Sequence, residues 1–73
     1  MTEDETLERF AEVAYAALCE VGHGDIIQPA FIHDGVPYIE FDTDDYPEGS
    51  DEFGYLVQAE RLALAAVGIE VQL

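Results

Sequence analysis

Lysine is missing from this chain, and arginine occurs only as Arg9 and Arg61. Against these two cations stand 17 aspartates and glutamates, giving a formal net charge of −15 over 73 residues. Soluble domains ordinarily interleave both signs, and a small one is comfortable at a net charge of about 2–8 in magnitude. The imbalance argues against direct contact with nucleic-acid phosphates and against docking on an anionic membrane. Cysteine is almost as scarce. Cys19 stands alone, so no intramolecular disulfide can form, and a reducing cytosol is the expected setting. The acidic start, Thr2-Glu3-Asp4-Glu5, is the opposite of a signal peptide's positive leader. No apolar run approaches the roughly 18 residues that span a bilayer. These absences predict a cytoplasmic protein.

The usual catalytic parts are missing too. Ser50 is the only serine, and its place ahead of an apolar periodic segment makes it a helix cap. There is no glycine-rich phosphate loop, no lysine, and little cationic side chain to stabilise a developing anion. A working carboxylate pair needs a pocket, which a chain of this length seldom encloses. Cys19 and His23 have helical i, i+4 spacing, but Gly22 interrupts the helix between them, and His33-Asp34 does not complete a zinc ligand set. Nothing orients a base for a Cys-His nucleophile. The stretch from Asp42 to Glu52 packs six carboxylates into eleven residues, an oxygen-rich composition that suits a hard cation such as calcium. An EF-hand register starting at Asp42 puts Pro47 where glycine belongs and Phe53 where the closing glutamate belongs. A solvated acidic loop is the expectation, with an irregular calcium site as the alternative. The sequence predicts a non-enzyme with no cofactor and no metal.

What is present suffices to fold. Hydrophobic residues make up 49% of the chain, with four phenylalanines and four tyrosines. That separates it from disordered chains, which join high charge to few apolar residues. Its length predicts a single domain over residues 1–73. A domain this small buries only about 60% of the surface its unfolded chain exposes, so one modest core must serve.

Thr2 and Glu5 have capping-box spacing, and Leu7, Phe10, Ala14, Ala17, Leu18 and Val21 recur with helical period. Gly22 and Gly24 are expected to adopt positive φ and stop this helix. Ala30–His33 and Val36–Phe41 flank Asp34-Gly35, the signature of a tight β-hairpin. In the second strand Pro37, Ile39 and Phe41 alternate with Tyr38, Glu40 and Asp42, an apolar face against an acidic one. Pro29 and Pro37 lack a ladder donor and fit strand ends or edges. After a polar loop, a second helix from Ser50 or Asp51 carries Phe53, Leu56, Val57, Leu64 and Val67 as its stripe and ends at Gly68. Ile69–Leu73 alternates as a final strand. The expected fold is α+β, in the order α-β-β-α-β, with two helices packed on one face of a small three-stranded sheet.

Function is then carried by the distribution of acids. Glu5, Glu8 and Glu12 share a helix face, where like charges cost roughly 0.2–0.5 kcal/mol per pair, partly offset by Arg9 through Glu5. Tyr38, Glu40 and Asp42 alternate along a strand at about 6.8 Å, close to the step between phosphates of a nucleic-acid strand, and lead into the loop. Any one of these acids reads as a solvated surface residue. Together, with no lysine to compensate, they read as a surface for a cationic partner.

In size, charge and mixed α/β character, the chain resembles the small acidic DNA-mimic inhibitors of phages and mobile elements, including DNA-mimicking anti-CRISPR proteins. The resemblance rests on composition and on two clusters: Glu3-Asp4-Glu5 with Glu8 and Glu12, and Asp42 through Glu52. It implies competitive inhibition: carboxylates would occupy the basic groove that holds target DNA, for instance on a CRISPR surveillance complex, in the host bacterial cytoplasm if the chain is phage-encoded. Candidate partner-binding acids are Glu8, Glu12 and Glu40, then Asp42, Asp44, Asp45, Glu48, Asp51 and Glu52 of the loop. Tyr38, Tyr46 and Tyr55, with Phe53 more suited to the core, are candidate apolar anchors. The expected partner is a basic DNA-binding protein, with a CRISPR effector subunit favoured, and the chain itself is a monomer or small homo-oligomer. An antitoxin or immunity protein neutralising a basic nuclease is the alternative. Adaptation to high salt, which screens self-repulsion, is the third reading.

Overall fold

The computed structural model describes residues 2–69, in the order α1 (Glu3–Glu20), a 3-10 turn (Gly24–Ile26), β1 (Ala30–His33), β2 (Val36–Ile39) and α2 (Asp51–Ala66). Thr2 caps α1 with its hydroxyl, which accepts from the Glu5 amide at 3.2 Å and donates to Glu5 Oε1 at 3.2 Å. The Glu5 carboxylate thus closes the cap on the hydroxyl of Thr2. Ser50 caps α2 in the same way, its Oγ accepting from the Phe53 amide at 3.2 Å.

Both helices end alike. Gly22 and Gly68 take φ of +79° and +82°. His23 N then donates to Leu18 O at 2.8 Å, and Ile69 N to Leu64 O at 3.0 Å. The residue before each, Gly22 N to Cys19 O and Gly68 N to Ala65 O, completes a Schellman motif at each helix end. Gly24 differs from expectation. Its φ is not positive, and it opens the 3-10 turn where a Cβ would lie 2.7 Å from Cys19 Sγ. A side chain there would have to displace the exposed Cys19 thiol, so close approach, not backbone handedness, is what favours glycine.

The core gathers Phe10, Ala14 and Leu18 from α1, Ile26 from the 3-10 turn, Ile39 from β2, and Leu56, Ala59, Ala63 and Leu64 from α2. Full burial of Phe10, Leu18 and Leu56 contributes roughly 1.5–3 kcal/mol each. Two expectations about the stripes need correction. Val21 is 47% exposed, because α1 stops at Glu20 and Val21 is its C-cap. On α2 the inward positions are Leu56, Ala59, Ala63 and Leu64, whereas Phe53, Val57 and Val67 are half-buried. Alanines let the two helices approach closely, and larger residues flank the contact.

β1 and β2 pair antiparallel, with Phe31 opposite Tyr38 and His33 opposite Val36, around Asp34 and Gly35 at φ of 53° and 76°. β2 ends at Ile39, two residues short of the expected Phe41. Glu40 N still donates to Pro29 O at 2.9 Å, but Pro29 has no N–H to return, so the ladder stops. Pro37 sits at the pair where ladder bonds point outward, so its missing donor costs the hairpin nothing. Ile39 also points its N–H outward, and Glu60 Oε2 of α2 accepts it at 2.9 Å. One helical carboxylate therefore closes the open edge of β2.

Burial alternates along β1 and from Pro37 onward in β2: Ile32, Pro37 and Ile39 face the core, while Phe31, His33 and Tyr38 face solvent, and Val36 beside the turn is half-buried against the core. The described structure is thus α+β, with two helices and a two-stranded antiparallel sheet. The third strand expected at Ile69–Leu73 lies, beyond Ile69, outside the described residues, and Ile69 itself completes the end of α2. No helix among the described residues is long and apolar enough to cross a membrane.

Candidate functional site

Two contacts fix the direction of the helices. His23, after the end of α1, stacks on Tyr55 near the start of α2, with ring centroids 4.6 Å apart. Ala66, at the end of α2, lines a shallow open depression of about 320 Å³ with Glu5, Glu8, Arg9 and Glu12 of α1. The helices therefore run antiparallel. Sixteen residues at about 1.5 Å each make α2 about 24 Å long. The Glu5–Glu12 cluster lies at its C-terminal end and the Asp42–Glu52 loop leads into its N-terminal end. The two acidic clusters are thus held apart at opposite ends of one rod.

At the α1 end, Glu8 and Glu12 are exposed. Arg9 pairs with Glu12, Nη1 to Oε2 at 3.9 Å, rather than with Glu5 as expected. Both side chains are largely exposed, so the pair contributes little stability. Arg61 is exposed and makes no ion pair with a described residue.

At the loop end, the acids differ in how free they are. Asp42 is half-buried, and its Oδ1 accepts from the Asp44 and Asp45 amides at 3.1 and 3.3 Å. Tyr46 N donates to Asp42 O at 2.8 Å. Asp42 thus folds the loop back on itself, and the strand row of Tyr38, Glu40 and Asp42 does not continue straight into it. Asp44, Asp45, Glu48 and Asp51 are exposed and Glu52 is half-buried. The charge of Asp42, then the hydrogen bond shared with it, slight desolvation and the charge of Asp44 push the Asp45 carboxyl above its ordinary value. Asp51 and Glu52 occupy the first turn of α2, where the helix dipole favours them.

Among the anchor candidates, Tyr46 and Tyr55 pack against the core, and Phe53 meets Phe41 with ring centroids 5.2 Å apart. Tyr38 is the exposed one, and it stacks with Phe31 at 5.8 Å. The sequence reading missed Phe31. Its apolar neighbours Ala30 and Ile32 hide any alternation along β1, but the two-residue turn fixes its register opposite Tyr38.

No charged side chain is buried among the described residues. Asp42, Glu52 and Glu60 are half-buried, and every other described carboxylate is exposed. Hydrogen bonds engage few of them: Glu5 at a cap, Asp42 in the loop and Glu60 at the sheet edge, while Glu12 and Asp34 pair with Arg9 and His33 at the surface. Compared with protein-family models, with curated proteins and with solved structures, the chain finds no match.

Proposed function

We propose that this protein is a non-catalytic inhibitor that presents DNA-like charge to the basic nucleic-acid-binding site of another protein, with a CRISPR surveillance complex as the favoured target. The observation that carries this reading is linear charge density. The molecule measures 33 × 23 × 23 Å. A net charge of −15 along 33 Å is one charge per about 2.2 Å, between about 1.7 Å for duplex DNA and about 3.4 Å for one strand. A groove of lysines and arginines built for a duplex would meet a similar field here, and complementary fields speed encounter and set specificity. The two acidic clusters lie at the two ends of α2, so a basic groove would meet charge at both ends of the rod.

Reversing Asp44, Asp45 and Asp51 to lysine tests this reading. All three are exposed; reversing Asp51 gives up its favourable place at the start of α2, roughly 0.3–1 kcal/mol, against which all three reversals relieve self-repulsion, so the fold should survive while inhibition of target DNA binding is lost. Inhibition that persists in the folded triple variant would remove the loop from the site.

A further inference from the structure

A solvent-facing strand surface is ordinarily polar, yet the outer face of this hairpin carries two aromatic rings. Phe31 and Tyr38 are directly opposed across the ladder, 44% and 36% exposed, with ring centroids 5.8 Å apart and planes 27° from parallel. The core-facing Ile32, Pro37 and Ile39 lie on the other side of the strands, and Phe31 and Tyr38 are the exposed large hydrophobic side chains of the hairpin. Carboxylates stand at its two ends. Glu40 follows β2 on the same face, and Asp34 lies at the turn, its Oδ2 3.3 Å from His33 Nε2.

Charge decides what can sit there. A second copy would bring another −15 against this one, and nucleic acid or an anionic lipid surface would be repelled in the same way. The occupant must be cationic and able to use a ring face. Arginine meets both demands: its planar guanidinium stacks on aromatic rings and pairs with carboxylates through two parallel hydrogen bonds, whereas the lysine ammonium is a strongly hydrated point charge. We infer that the Phe31–Tyr38 face is a docking platform for arginine side chains of the protein partner, bracketed by Glu40 and Asp34. This rests on the proposed cationic partner and adds to it an apolar anchor and a preference for arginine over lysine.

The test uses the intact chain at near-physiological salt, with labelled hexa-arginine and hexa-lysine peptides as probes, read by fluorescence anisotropy and by NMR. Stacking on exposed rings should make the arginine peptide bind about fivefold more tightly than the lysine peptide. On the wild-type protein, the ring signals of Phe31 and Tyr38 should shift with hexa-arginine. The Phe31→Ser, Tyr38→Ser double variant should lose the arginine preference while keeping its lysine-peptide affinity. The ring shifts need no variant, so they decide the matter even if the double variant folds poorly. Equal affinity for both peptides, with shifts confined to Asp44–Asp51, would overturn the platform and leave the cationic partner standing. Failure of either peptide to bind at all would overturn both. Sedimentation showing a dimer that the double variant dissolves would assign the face to a second copy and also overturn the inference.

Discussion

Replacing Glu60 with alanine removes the acceptor that α2 offers to the Ile39 amide. The bond is 2.9 Å long and Ile39 is 2% exposed, so water cannot readily replace the lost partner. An orphaned buried donor costs about 1–3 kcal/mol. A second effect opposes it: deleting one carboxylate from a chain of net charge −15 relieves self-repulsion. The hydrogen bond dominates, because the repulsion is spread over exposed, screened groups and the amide is not. A net loss of about 2 kcal/mol is expected, which lowers Tm by about 8–16 °C for a domain of this size. Glu60→Gln keeps a carbonyl oxygen within reach and should lose less than about 1 kcal/mol. Glu48→Ala removes an exposed acid that holds no hydrogen bond with a described residue, so it should leave Tm unchanged or slightly raised. Thermal melts followed by circular dichroism read all three, and hydrogen exchange should show the Ile39 amide losing protection only in Glu60→Ala. A Glu60→Ala melt within about 2 °C of wild type would refute the reasoning. So would a Glu60→Gln variant as damaged as the alanine, since charge and not the acceptor would then matter.

Two further perturbations follow from single residues. Gly54 lies in the first turns of α2 without a positive φ, and a Cβ there meets nothing within 4 Å. Gly54→Ala should therefore stabilise by up to about 1 kcal/mol, seen as a higher Tm. Asp45 has a raised carboxyl pKa in the folded chain, so the folded state binds that proton more tightly than the unfolded state. Its unfavourable contribution is present at neutral pH, shrinks as pH falls through the raised value, and is gone below the ordinary value of 3.8. Asp45→Asn should flatten the dependence of stability on pH in the acid range above 3.8, measured by urea titrations at each pH.

The local signals in the sequence marked the helices and the hairpin well. Thr2 and Ser50 cap where their spacing places them, Gly22 and Gly68 end the helices, and Asp34-Gly35 turns the hairpin. What escaped the reading was decided by partners distant in the chain. α2 is apolar around much of its circumference, so only contact with α1 selects Ala59 and Ala63 over Val57 and Val67. Nothing local marks Glu60, because its partner, Ile39, lies 21 residues away. For the candidate site, the sequence located two acidic clusters but not the rod between them, which depends on the antiparallel packing of α1 and α2. Asp42 looks like a free charge in the sequence, whereas in the fold its carboxylate holds the Asp44 and Asp45 amides.

The most direct measurement is a titration of duplex target DNA binding to a CRISPR surveillance complex at several fixed concentrations of this protein. A DNA-like rod that occupies the basic groove should raise the apparent Kd in proportion to its concentration, leave saturation unchanged, and be driven off by excess DNA. A stable ternary complex, with DNA and this protein bound to the same groove-bearing subunit together, would contradict the idea that its carboxylates stand in for phosphates.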